Sequence, residues 1–196
     1  MNIARELLKI VLLIPLILTW TGIAVADNSN CSLIFAFDQV RDAASWQAVN
    51  DDVMGGRSSG GASYADGRLL FTGNINTNGG GFSSVRTALP PGILEGMGRF
   101  KLRVLQDTRH YQLIVQTDAS FGGRPVAYRA DIKNRVPGNW SEENVMFSEL
   151  HPTVFGRPLT GPVFDASRAR LLGIIIADAQ DGAFHLEIET IHACPL

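Results

Sequence analysis

Helical periodicity is nearly absent from this sequence. Beyond residue 26 only Asp42 to Trp46 and Ala166 to Arg170 read as brief helical turns, which excludes helical bundles and folds whose parallel strands need crossover helices. Cysteine is scarce. Of the two, Cys31 and Cys194, neither has a second cysteine or a histidine at ligand spacing, His192 being too close and alone, so a zinc site is excluded. An excess of one charge is missing too. The chain has 17 Lys and Arg against 19 Asp and Glu, giving no electrostatic case for nucleic acid or an anionic membrane surface. Histidine is sparse and scattered: His110, His151, His185 and His192 form no paired ligand motif and no triad with a nucleophile. There is no internal repeat, low-complexity tract or linker that would split the chain.

One long apolar stretch is present, at the start. Arg5 and Lys9 precede the run Ile10 to Leu18, broken only by Pro15, and Ala24-Val25-Ala26 supplies the small residues of a cleavage site. Residues 1–26 therefore read as an export signal cut before Asp27, which makes the mature protein periplasmic or secreted. The rival reading is a transmembrane anchor, since residues 10–26 are just long enough to span a bilayer core; membrane attachment holds only if the segment stays uncut. Glu6 and the frankly apolar run fit a mitochondrial transit peptide poorly. Asn28-Ser29-Asn30 before Cys31 fits a lipoprotein site poorly. The remainder, residues 27–196, is a normal size for one domain with a core of its own. In an exported chain the two cysteines invite a disulfide, with two buried free thiols as the alternative.

The chain after residue 26 is a series of short β-branched and aromatic stretches separated by Gly, Pro, Asn and Asp. Strands are expected at 33–38, 68–73, 82–87, 98–105, 110–117, 126–133, 144–147, 171–177 and 184–191. Tyr111, Leu113 and Val115 alternate with polar neighbours, Ile114 being the exception, and Phe184, Leu186 and Ile188 alternate with His185, Glu187 and Glu189. Residues 171–177 are apolar throughout, as in a strand covered on both faces. Many strands without intervening helices predict an all-β fold of two packed antiparallel sheets, a sandwich or jelly roll.

Two clusters carry special residues. In Trp46 to Gly60, Gly55 and Gly56 can take positive φ while Asn50, Asp51 and Asp52 can fasten a turn through their side-chain oxygens; the alternative is a carboxylate facing a hydroxyl-bearing ligand or calcium. Gly56-Arg57-Ser58-Ser59-Gly60 matches the G-x-S-x-G spelling of serine hydrolases, but no strand-turn-helix context surrounds it, so the match is chance. The second cluster is Phe71-Thr72-Gly73-Asn74 and then Gly79-Gly80-Gly81-Phe82-Ser83-Ser84-Val85-Arg86. It lacks the helix and Lys-Ser/Thr pair of a phosphate cradle. Alternation places Phe82, Ser84 and Arg86 on one face, so Arg86 is expected where the two loops meet, either paired with Asp51 or Asp52 or reading a partner's carboxylate. Trp46, Trp140 and Tyr111 are either core residues or stacking platforms for a sugar ring.

These residues, with Tyr111, Trp140 and the closing Asp181-Gly182-Ala183-Phe184-His185-Leu186-Glu187-Ile188, resemble in content and order the motifs of the complex I intermediate-associated protein 30 family. The resemblance covers essentially the whole chain after residue 26. It implies a galactose-binding-like jelly roll, no enzymatic activity and no cofactor, and a role best known in assembly of the membrane arm of respiratory complex I. The export signal departs from that pattern and places the chain on another side of the membrane. The expected function is an extracytoplasmic protein-binding module assisting assembly of a membrane complex, with Asp51, Asp52, Met54, Gly81 and Arg86 at or near its working surface. The alternative is a carbohydrate-binding module.

Overall fold

The computed structural model describes residues 31–133 and 135–196; the expected signal segment, residues 1–26, lies outside the described residues. The elements run β1 (Ser32–Ala36), α1 (Val40–Ala44), β2 (Gln47–Asn50), β3 (Ser59–Ala65), β4 (Arg68–Ile75), β5 (Ser83–Ala88) and β6 (Arg99–Gln106). They continue as β7 (Tyr111–Phe121), β8 (Arg124–Ile132), β9 (Trp140–Met146), β10 (His151–Val154), β11 (Arg157–Pro158), β12 (Leu171–Ile176) and β13 (Gly182–Cys194). Short 3-10 turns come after β2, after β9 and in the loop before β12.

All pairings are antiparallel, and they build a jelly-roll sandwich. One sheet runs β3-β4-β13-β6-β9, with β1 against the second half of β13; the other runs β11-β10-β8-β7-β12-β5-β2. Alternation explains the packing. Along β6, Phe100, Leu102 and Val104 turn inward with no exposure while Arg99, Lys101 and Arg103 point to the other side and are partly exposed. From the facing sheet Val85, Leu113, Val115, Val126, Leu172, Ile174 and Ile176 close the same core. Fully burying each such side chain contributes roughly 1.5–3 kcal/mol.

The expected strands are present, and four more appear. β3 is a Ser- and Gly-rich edge strand, β10 contains Pro152, and β2 and β11 are four and two residues long. Their composition carries no β signal; the ladder of a neighbouring strand holds them. Trp46 and Tyr111, weighed as stacking platforms, are both core residues: Trp46 packs on Phe35 and Phe37, Tyr111 on Phe71 and Phe184. Cys31 and Cys194 form a disulfide, and because β1 lies against β13 it fastens the described chain start to its end. Closing so long a loop contributes about 5 kcal/mol in the chain-entropy account.

Candidate functional site

The antiparallel order brings the ends of β2, β4, β6 and β12 and the starts of β3, β5, β7 and β13 to one end of the sandwich. Asp51 is the hub there. Its side chain is fully buried, and Oδ1 accepts from the Ser58 amide at 2.8 Å. Oδ2 accepts from the Ser58 hydroxyl at 2.6 Å and from the amides of Gly81 at 2.5 Å and Phe82 at 3.3 Å. Burial pushes the carboxyl upward, but the Ser58, Gly81 and Phe82 bonds outweigh it and hold it below the usual range. A Cβ on Gly56 would lie 2.2 Å from the Asp51 carboxyl carbon, and one on Gly80 2.3 Å from Oδ2, so both glycines are needed for the loops to close on it. Gly55 ends the 3-10 turn with φ 85°, and Gly73 lies directly under Ser59 and Phe184, where a Cβ has no room.

The same end holds further inward bonds. Thr77 donates its amide to Asp181, and Asp107 accepts from the Tyr111 hydroxyl and the His185 amide. Buried Arg109 pairs with buried Asp178 at 2.7 and 2.8 Å and donates to the carbonyls of Gln180, Gly182 and Ala183. These aspartates hold loops. Asp52 is exposed and accepts from the Val53 amide within its own turn, and beside it Val53 and Met54 stand open to solvent. No group of three or more Asp, Glu, His or Cys among the described residues is placed to hold a metal ion.

Arg86 is not at this junction, contrary to expectation. It faces Gln47, three residues before the end of β2, and lies three residues into β5, so its side chain stands on the outer face of the seven-stranded sheet. Among the described residues it forms no ion pair with Asp51, Asp52 or any other acid. Its Nε donates to the Ser84 hydroxyl at 3.1 Å, and Ser84 in turn donates to the Val49 carbonyl. The expectation rested on alternation, and Ser84 and Arg86 do share a face; the length of β5 carries Arg86 away from the loops.

Register fixes what surrounds it. Arg86 faces Gly173, Gly173 faces Ile114, Ile114 faces Arg129 and Arg129 faces His151, a row across five strands pointing away from the core. A Cβ on Gly173 would sit 2.9 Å from Arg86 Cγ, so the Arg86 stem lies across the gap that this glycine leaves. Ile114 and Ile175 are only 1% exposed and Ser84 not at all, although none of them meets the other sheet. The apolar run is thus covered on both faces over residues 172–176, with Leu171 partly exposed and Ala177 exposed at its ends. Arg129 Nε is buried with no hydrogen-bond partner. Burial pushes both guanidiniums down, and the charge of Arg86 adds to the effect at Arg129. Beside Arg129 opens a cleft of about 420 Å³ bounded by Gln112, Asp131, Lys133, Glu149 and His151. Its acids are engaged: Asp131 with His110 and Gln112, Glu149 with Lys133.

Sequence reading did not single out Arg129, Arg109 or Asp178. For Arg129 a signal existed: it is a cation inside the strand expected at 126–133, within a sheet whose strand 171–177 is apolar throughout. Trp140 stands on the other sheet, half-buried, with Arg68 and Arg103 each 5.7 Å from its ring.

Residues 35–188 match the family model described as Complex I intermediate-associated protein 30. No curated protein sequence matches the chain. Among solved structures, the family 11 carbohydrate-binding module of a cellulosomal cellulase of Clostridium thermocellum aligns with a TM-score of 0.65 at 13% identity, over 86% of this chain and 96% of that one. The same module in complex with a β-1,3-1,4-mixed-linked tetrasaccharide aligns at 0.63 and 13%, over 84% and 95%. A family 28 module described as specific for non-crystalline cellulose aligns at 0.51 and 12%, over 84% and 95%. At such identities the likeness is one of fold.

Proposed function

The chain belongs to the complex I intermediate-associated protein 30 family, and on that premise we propose that residues 27–196 act outside the cytoplasm as a non-catalytic module. It grips a protein partner through the outer face of the seven-stranded sheet and assists assembly of a membrane complex. One observation carries this reading: that face buries Ile114, Ile175 and Ser84 without meeting the other sheet, and holds Arg86 and Arg129 free of any carboxylate among the described residues. An arginine fork beside apolar floor suits recognition of a protein surface. The Cys31–Cys194 disulfide supports an oxidising compartment, since such bonds are rare in the cytosol. Asp52 and Met54, exposed at the loop end, form a second contact zone, with Asp51 and Gly81 beneath it as the clamp that holds its shape.

Carbohydrate is the competing ligand, given the fold. The row Gln47, Arg86, Gly173, Ile114, Arg129, His151 holds no Trp, Tyr or Phe ring to stack on a sugar, which favours protein. Affinity capture from solubilised membranes of the native host, comparing wild type with Arg86→Ala, tests the proposal. Membrane-complex subunits retained by wild type alone support it. An empty capture together with glycan-array binding that Arg86→Ala abolishes replaces it with the carbohydrate reading.

A further inference from the structure

A guanidinium drawn out of water normally meets a carboxylate, because desolvating a cation is costly unless an opposite charge or acceptors compensate. Arg109 obeys that rule in this protein. Arg86 and Arg129 do not, and they do not stand apart. Both project from one face, in one row, from strands separated by β12 and β7, so their Cα atoms are about 14 Å apart at three strand spacings. Arg86 is held by a single neutral acceptor, Ser84, which leaves its two terminal NH₂ groups free of protein acceptors among the described residues. Arg129 has no acceptor among them, its Nε is fully buried, and its terminal nitrogens come up beside Gly156 in the β10–β11 turn.

The charges around the row complete the picture. From β8 itself comes Asp131, which His110 and Gln112 hold; from the segment before β10 comes Glu149, which Lys133 holds; from β10 comes exposed His151; β5, β7 and β12 add no acid in the row. Lys133 balances Glu149, and Asp131 offsets one of the two arginines, so the row keeps a net positive charge, on side chains that the Gly173 gap and the Ser84 bond position in advance. Preformed donors over a shielded apolar floor are arranged to receive anions, with little ordering left to do on binding.

Resting on the protein-binding reading above, we propose that Arg86 and Arg129 are paired carboxylate receptors. The ligand is an extended acidic segment of a partner protein that crosses strands β5, β12, β7 and β8. An extended chain presents every second side chain to the same side, about 7 Å apart, so acids four positions apart, about 14 Å, address Arg86 and Arg129 with the residue between them over Gly173 and Ile114. Arg129 belongs to the binding surface and not to the framework of the fold.

The test is a titration of the full chain with hexaglutamate, read by the arginine Nε–Hε resonances, with a galacturonic acid hexamer as a carbohydrate ligand of equal charge. The expected result is shifts at Arg86 and Arg129 with hexaglutamate, and affinity at least tenfold lower in Arg129→Gln and in Arg86→Gln. Arg129→Gln is further expected to melt no lower than wild type, because an unpaired half-buried cation is gone. Absence of shifts, binding that survives Arg129→Gln, or preference for the galacturonate would each overturn the proposal, as would a large loss of melting temperature in Arg129→Gln. Hexaglutamate binding alongside an empty membrane capture would keep the receptor site and discard the assembly role.

Discussion

Arg109, in the loop between β6 and β7, and Arg129, within β8, are the same residue type, and the fold treats them in opposite ways. At the loop end Arg109 is 9% exposed, paired with Asp178 through both forks and surrounded by three carbonyls. On the outer face Arg129 is half-buried with its Nε unpaired. The first arrangement fixes loops; the second leaves bonding capacity for something else. The difference teaches that burial of a charge does not by itself mark a site. Arg99 Nε on the other sheet is buried without a partner as well; what distinguishes Arg86 and Arg129 is that two uncompensated guanidiniums share one face and one row.

The sharpest way to break the comparison is Arg109→Ala. It strands the buried Asp178 carboxylate, and removal of one partner from a buried pair costs about 3–5 kcal/mol. At about 2–4 °C per kcal/mol for a domain of this size, the melting temperature should fall by roughly 6–20 °C, measured by calorimetry. A drop as small as that of Arg129→Gln would remove the distinction between the two regions.

Next comes Asp51→Asn, which keeps the shape but not the charge. Four donors then face one carbonyl oxygen and an NH₂ group, a loss of about 2–3 kcal/mol. The same change should flatten the acid limb of stability. Asp51 and Asp178 are held below their ordinary values, so the unfolded chain binds more protons than the native one in acid. Their contribution is present above about pH 4 and is lost as pH falls through the depressed native values. Unfolding curves from pH 6 to pH 2 should show a shallower decline in Asp51→Asn than in wild type; parallel curves would mean that the clamp does not depend on the charge.

The smallest expected effect is that of Arg86→Gln on stability, within about 0.5 kcal/mol of wild type by denaturant titration, since only one neutral hydrogen bond is exchanged. A loss comparable to that of Asp51→Asn would class Arg86 with the loop clamps.

Much of the fold was legible beforehand. The alternation of Tyr111, Leu113 and Val115 and the apolar run at residues 171–177 have a direct physical reading; the first matches the observed burial, and the second does so over residues 172–176. The glycines around Asp51 announced a shaped loop, though not that Gly56 and Gly80 are packing surfaces for one carboxylate. The strands β2, β3, β10 and β11 were not legible, because short or Gly- and Pro-containing segments become strands only when a neighbouring ladder accepts them.

Pattern along the chain determined the sheet faces, the all-β class and the two loops that need special backbone, because side-chain periodicity and backbone freedom are local properties. Pairing across the chain decided the rest. Whether Arg86 meets Asp51, Asp52 or Arg129 depends on the register of β5 with β12 and β7, and the acid that compensates Arg109 stands 69 positions further along the chain. Compensation of a buried charge is a property of three-dimensional neighbours, so only the tertiary structure separates the arginines that hold this fold from the pair left open on its face.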